Sequence, residues 1–379
     1  MPHKHIGFLM AAALMTAATA CSAAAGAARV AAASAGASAT ASATAKPVEV
    51  MSVSFVSPRV GWLLGERGER ASRVLMRETV DGGRTWAAVP APAAPAADMF
   101  QSSPPPNAVG SILFTSPRDG WAFGPALWRT TDGGATWRRE RAPGPVANIE
   151  VTGNRMIAVI TRAGGSGDAD LRLYAATAGR DDWQPVPGAA VRDFRGESLA
   201  VSGGRGYLLA SLSSLGRPVL LTGPAAGAGR WHALPVPCPG SWSAALAAAP
   251  GWLFAGCGSE PGAGNQLKTA FVSRDGGHAW HRAASPPMGG YLGAATMSAA
   301  GTIFLSGERM DVYISRDRGR SWHESPSLRN AAGLADAGFF LVAATVTDKA
   351  GVAFEKGVGK PQVWLTVDGG RRWTPVTVH

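Results

Sequence analysis

The sequence predicts an all-β chain, a seven-bladed β-propeller of four-stranded antiparallel blades, and three observations carry that expectation. One short pattern, Ser/Thr-x-Asp-x-Gly-x-x-Trp, occurs five times: Thr79 to Trp86, Thr130 to Trp137, Ser273 to Trp280, Ser315 to Trp322 and Thr366 to Trp373. Two worn versions ending in Trp183 and Trp231 fill the gap, so that seven tryptophans stand 51, 46, 48, 49, 42 and 51 residues apart. A fixed period in that range marks a repeat architecture. Each period also holds short alternating apolar runs bounded by Gly, Pro, Asp and Ser, which read as four strands per unit. Seven such units fit a propeller.

The first unit shows the anatomy. Val48 to Phe55, Val60 to Leu64, Arg73 to Arg77 and Trp86 to Val89 supply its four strands. Gly61-Trp, Gly120-Trp, Gly206-Tyr, Gly251-Trp and Gly301-Thr mark the second strand in successive units. The Asp-x-Gly stretch joins strands three and four. Its carboxylate suits a tight turn because it accepts bonds from nearby backbone N–H groups, and the glycines tolerate positive φ. Asp81, Asp132, Asp275, Asp317 and Asp368 therefore read as turn staples. Trp86, Trp137, Trp280, Trp322 and Trp373 read as rings buried between neighbouring sheets.

These copies resemble the Asp-box, or BNR, repeat over roughly residues 48–379. Sialidases, sortilin-type receptors, some xyloglucan hydrolases and photosystem II assembly factors carry that repeat. The resemblance implies the architecture and no single activity, because one fold hosts many functions.

The two ends are read separately. In residues 1–21, Lys4 precedes an apolar run from Ile6 to Ala20, the pattern of a secretory signal and too short to span a membrane. Ala18-Thr-Ala-Cys21 resembles a bacterial lipobox, with Ala18 where Leu is usual. The expectation is an exported lipoprotein anchored through Cys21 on the outer face of the cell membrane. Ordinary cleavage near Ala20 and free secretion is the alternative. Residues 22–46 are almost wholly Ala, Ser, Thr and Gly, a composition that buries no core and reads as a tether. Residues 47–379 form the propeller.

Beyond Cys21 the cysteines are Cys238 and Cys257. Cys238 follows the fourth strand of unit four, and Cys257 ends the second strand of unit five. Both positions fall on one face of adjacent blades, which in an exported protein predicts a disulfide.

The net charge of +10 comes mostly from arginine and favours anionic partners. The arginines are spread along the chain and no nucleic-acid motif accompanies them. The expected partner is a protein or a cell-envelope polymer, with the propeller acting as a monomer. The sequence calls for no cofactor and no metal.

Strand order sorts the remaining chemistry onto two faces. Asp-box turns lie on one. Loops between strands two and three, and between units, share the other, where ligands of propellers usually sit. That face collects Glu66, Arg67, Arg70, Arg162, Asp168, Arg217, Trp242, Glu260, Tyr291, Glu308, Arg309 and Glu355 as candidate ligand contacts. A sialidase needs an arginine cluster, an activated tyrosine and an acid. The family's early Arg-Ile-Pro motif is absent, and Tyr174, Tyr207 and Tyr313 fall within predicted strands. A two-carboxylate glycoside hydrolase would draw on Glu66, Asp168, Glu260, Glu308 or Glu355. Several of these are flanked by Arg or Lys, which holds an acid ionised instead of raising its pKa. The expectation is a non-catalytic, surface-anchored binding scaffold, with a glycoside hydrolase of the xyloglucanase or sialidase kind as the alternative.

Overall fold

Antiparallel hairpins account for nearly all the regular structure. The computed structural model describes residues 48–67, 73–97, 104–163, 169–212, 218–238, 240–307, 312–325, 328, 340–356 and 362–379. All of them belong to the compact unit Lys46–His379.

The first unit is β1 (Glu49–Phe55), β2 (Gly61–Glu66), β3 (Leu75–Thr79) and β4 (Ala87–Val89), hydrogen-bonded in that order. The second is β5 (Ser111–Phe114), β6 (Gly120–Phe123), β7 (Leu127–Thr130) and β8 (Arg138–Glu140). After β9 (Val146–Thr152), β10 (Arg155–Ala163) and β11 (Ala169–Thr177) comes the long β12 (Gln184–Ser202), then β13 (Arg205–Leu212), β14 (Val219–Pro224) and β15 (His232–Leu234). Three more four-stranded sheets follow. They are β16 (Ser243–Ala249) to β19 (His281–Arg282), β20 (Ala295–Met297) to β23 (His323–Glu324), and β24 (Phe340–Thr345) to β27 (Thr374–Thr377). Within them, β17 is Trp252–Gly258, β18 Lys268–Ser273, β21 Ile303–Leu305, β22 Tyr313–Ser315, β25 Gly351–Lys356 and β26 Gln362–Thr366.

The two worn units depart from separate four-stranded sheets. β12 pairs with β11 through Gln184 to Phe194 and with β13 through Phe194 to Ser202, so β9 to β15 form one seven-stranded sheet. The physical reason lies in the bend. No run of loop residues separates the two halves, and the turn between them is absorbed by Asp193 at φ 52°. Aspartate is among the few non-glycine residues that adopt this region readily.

The core lies in the seams between sheets. Trp62 of β2 stacks on Phe114 of β5, centroids 3.8 Å apart and planes 6° from parallel. Gly61 and Gly120 open their strands because a Cβ at either would stand 2.5 Å from the ring of Phe55 or Phe114. The last sheet packs on the first. Val48, Val50 and Leu63 share one buried cluster with Val352, Phe354 and Val363, and Val48 N donates to Val378 O. Cys238, just past β15, and Cys257 of β17 are joined by a disulfide, their Cα atoms 5.3 Å apart. Closing a loop of 19 residues contributes about 3 kcal/mol in the chain-entropy picture.

Candidate functional site

The Asp-box turns use up their own polar groups. In the second unit, Thr130 Oγ1 donates to Asp132 Oδ1 at 2.8 Å and accepts from Gly134 N at 2.8 Å. Thr136 donates to the same carboxylate twice, from N at 2.9 Å and from Oγ1 at 2.6 Å. Asp81, Asp275, Asp317 and Asp368 are held alike, each taking a backbone N–H four residues on. The hydrogen bonds from Thr136, side chain first, then backbone, push the Asp132 carboxyl down to about 2. A carboxylate so engaged has little capacity left for a ligand.

The opposite face carries a second group of cations. Arg162 at the end of β10, Arg172 in β11 and Arg192 in β12 surround a small pocket of about 160 Å³ with Asp170. Asp170 Oδ1 accepts the backbone N–H of Asp193 and so fixes the bend of β12. Arg162 reaches Tyr174 Oη at 3.3 Å. Two residues past Asp193, the Arg195 guanidinium lies 3.8 Å from the ring centroid of Trp242, a cation–π contact that orients both. β12 thus carries arginines from the third sheet unit toward β16, forming a cationic ledge with one aromatic platform.

Beside the ledge, a buried ammonium organises two loops. Lys268, 3% exposed, opens β18 and sends Nζ among the carbonyls of Gln266, Pro287, Met288, Gly289 and Gly290 at 2.8–3.3 Å. Burial pushes this ammonium down to about 8. Gln266, 2% exposed, receives Leu292 N on its Oε1 at 2.7 Å. Half-buried Tyr291 belongs to this assembly and exposed Glu260 to the loop beside it.

Other candidates are dispersed. Glu66 ends β2 in the first sheet and Arg67 follows it, and Glu355 pairs through its backbone with Leu341. The side chain of Glu355, and Arg70, Asp168, Arg217, Glu308, Arg309 and the lipobox Cys21, lie outside the described residues. Among the described residues no group of three His, Cys, Asp or Glu side chains converges to hold a metal.

Sequence reasoning missed Arg172, Arg192, Arg195 and Lys268, and two acids on first strands. Glu150 of β9 and Glu197 of β12 are both raised to about 7, by burial foremost, and Glu150 further by the charge of Glu197. Asn148 Nδ2 donates to Glu197 at 3.2 Å.

Comparison with known proteins completes this picture. No curated protein matches the chain by sequence. A solved structure described as YCF48 bound to D1 peptide aligns with 85% of this chain and 94% of its own, at 17% identity and TM-score 0.55. YCF48 from Cyanidioschyzon merolae aligns with 86% of this chain and 97% of its own, at 17% identity and TM-score 0.52. These likenesses show the fold, a β-propeller of the BNR type. A family profile described as photosynthesis system II assembly factor YCF48 matches residues 37–228, just over half of the chain. The chain belongs to the photosynthesis system II assembly factor YCF48 family.

Proposed function

We propose that this protein is a non-catalytic scaffold that holds a segment of a client polypeptide on the face opposite its Asp-box turns. The observation that carries the reading is the ledge of Arg162, Arg172, Arg192 and Arg195, with Trp242 as its aromatic platform. Planar guanidinium groups beside a half-buried ring suit an acidic, partly aromatic polypeptide. The YCF48 structure carrying a D1 peptide supports a peptide as ligand class. Counting the fused sheet as two units makes a propeller of seven blades. Lipidation at Cys21 would tether it to the outer face of the cell membrane as a monomer.

The test is a cross-linking pull-down from solubilised envelope with wild type and an Arg172→Glu/Arg192→Glu/Arg195→Glu variant. A client captured by wild type, lost with the folded variant and weakened by salt supports the ledge. Equal capture by both proteins overturns it. For the tether, Cys21→Ala should move the protein from the detergent phase to the medium, and an unmodified mature N-terminus refutes the anchor.

One observation bears on the glycoside hydrolase alternative. A hydrolytic pair needs one raised acid and one ionised carboxylate. Glu150 and Glu197 are both raised to about 7, so neither is held firmly ionised for the second role. Turnover of xyloglucan or a sialoside, abolished by Glu197→Gln in a folded protein, would replace the scaffold reading with an enzyme.

A further inference from the structure

The seam between the last sheet and the first lacks what fills three others. In the five Asp-box units one second-strand residue pairs with the box Ser or Thr, and in three of them the residue after it is an aromatic that packs against a ring of the next sheet. Those residues are Trp62 after Gly61, Phe254 after Leu253 and Phe304 after Ile303. Each meets an aromatic ring of the following unit: Trp62 on Phe114 at 3.8 Å, Phe254 near Trp322 at 5.7 Å, Phe304 near Trp373 at 5.5 Å. At the last-to-first seam the same register position is Val352, after Gly351. Phe55 and Trp86, which meet edge to face at 6.1 Å, therefore gain no ring from Val352.

A hydrogen-bond donor is missing at the same place. Trp62 Nε1 donates to Gly133 O in the second unit's box turn at 3.0 Å, and Arg316 Nε donates to Gly369 O in the last unit's at 2.8 Å. The equivalent glycine of the first unit is Gly82. The last sheet holds Val352 where Trp62 stands and Val367 where Arg316 stands, and neither side chain has a donor. Among the described residues no donor reaches Gly82 O. Val367 is 72% exposed.

What remains is a cavity of about 710 Å³ between the two sheets. That volume lies in the range of ligand pockets. Phe55, Val352 and Leu365 form apolar wall, and Arg59, Arg84 and Arg372 stand at its lining. The acids there, Asp81 and Asp368, already accept three hydrogen bonds each within their own turns. Among the described residues no carboxylate lies within ion-pair distance of the three arginines.

We propose that this seam docks a tryptophan side chain of a partner polypeptide that carries acidic residues beside it. The indole ring supplies the ring that Val352 lacks, against Phe55, and its N–H donates to Gly82 O as Trp62 does to Gly133 O. The flanking carboxylates meet Arg59, Arg84 and Arg372, charge-assisted contacts that a planar guanidinium forms well. This site lies on the Asp-box face, away from the arginine ledge, and does not rest on the ledge reading.

The test uses the full chain and a fluorescein-labelled peptide, Glu-Asp-Trp-Asp-Glu, followed by anisotropy. Binding should weaken at least about tenfold when the peptide's tryptophan becomes alanine, as for an anchoring interface ring. The same loss is expected with Val352→Phe, which fills the seam, and with Arg59→Glu/Arg372→Glu, both checked for folding by thermal melting. If Val352→Phe fails to fold, the exposed arginine pair and the alanine peptide decide. Equal binding of the alanine peptide, binding unchanged by the folded variants, or no binding up to about 1 mM peptide, a free energy near −4 kcal/mol, each overturns the proposal.

Discussion

The indole N–H of Trp280 donates to the carbonyl of Pro235 at 3.1 Å, across a seam between sheets and 45 residues back along the chain. Trp137 to Pro90, Trp183 to Arg141 and Trp322 to Ala284 repeat the contact at 3.1, 2.7 and 2.8 Å. Every acceptor lies just past the fourth strand of the preceding unit. At these four seams the repeat tryptophan is therefore a fastener with two parts, a ring that packs and a donor that fixes the angle between neighbours; Trp86, Trp231 and Trp373 pack their rings without that bond. Trp280→Phe keeps a ring and removes the donor, which should cost about 0.5–1.5 kcal/mol. Trp280→Ala should cost about 2–4 kcal/mol, less than a fully buried ring because this one is half-buried. Urea denaturation of the two variants measures both numbers, and equal losses would refute the division of roles.

Acid should act through the box turns. The Asp81 and Asp132 carboxyls are held at about 2, led by the Thr85 backbone N–H for Asp81 and the Thr136 hydroxyl for Asp132. A carboxyl with a depressed folded pKa stabilises the fold above its unfolded pKa, near 4, and loses that effect as pH falls through 2. Wild type should lose melting temperature between about pH 4 and 2. Asp132→Asn should melt lower than wild type at neutral pH and show a shallower loss over the same acid window. Calorimetry at several pH values reads the difference in slope.

Removing the Lys268 ammonium leaves five carbonyls without their common donor. Lys268→Met matches the stem but supplies no N–H, so the variant should lose about 2–4 kcal/mol, the scale of stranded buried polar groups. The damage should be local first. Hydrogen exchange should quicken in residues 259–267 and 286–292 before it changes in β24 to β27, and uniform quickening would refute an organising role confined to these loops.

Glu150 and Glu197 predict the reverse pH behaviour. Their folded pKa of about 7 lies above the ordinary carboxyl value of 4.5. A raised acid stabilises most below its unfolded pKa and loses that contribution as pH rises through its folded pKa, about 1.4 kcal/mol per unit. Melting temperature should therefore fall between about pH 5 and 8 in wild type. Glu197→Gln should flatten that fall and melt higher than wild type at pH 8. A parallel pair of pH profiles would show that these acids titrate normally.

The strongly periodic parts were legible in sequence because they depend on local chemistry. Thr130, Asp132, Gly134 and Trp137 each perform a task set by residues within one turn or one seam, so their spacing alone exposed the strands. The fusion through β12 was not legible. Around Trp183 and Trp231 the box residues have worn away, and a continuing strand differs from a tight corner only in the φ of Asp193. The site was read by counting loop residues on one face, which found Arg162 and Trp242. It overlooked Arg172, Arg192, Arg195 and Lys268 because they sit inside strands. Backbone carbonyls, the groups that define the surroundings of Lys268, leave no mark in a sequence at all. Glu150 and Glu197 are 47 residues apart and meet only because the first strands of two units lie side by side.

The passage of β12 from one unit to the next also decides where the molecule can come apart. Elsewhere two sheets are held at a seam by side chains, and a load across it can be relieved by sliding rings over one another. Between β11 and β13 the side-chain seam is backed by one unbroken strand, β12, laddered to β11 along its first part and to β13 along its second, so the same load also pulls on both ladders through the backbone. Pulled or heated, the chain should behave there as a single mechanical member twice the usual width, and rupture should begin at the seams on either side of it.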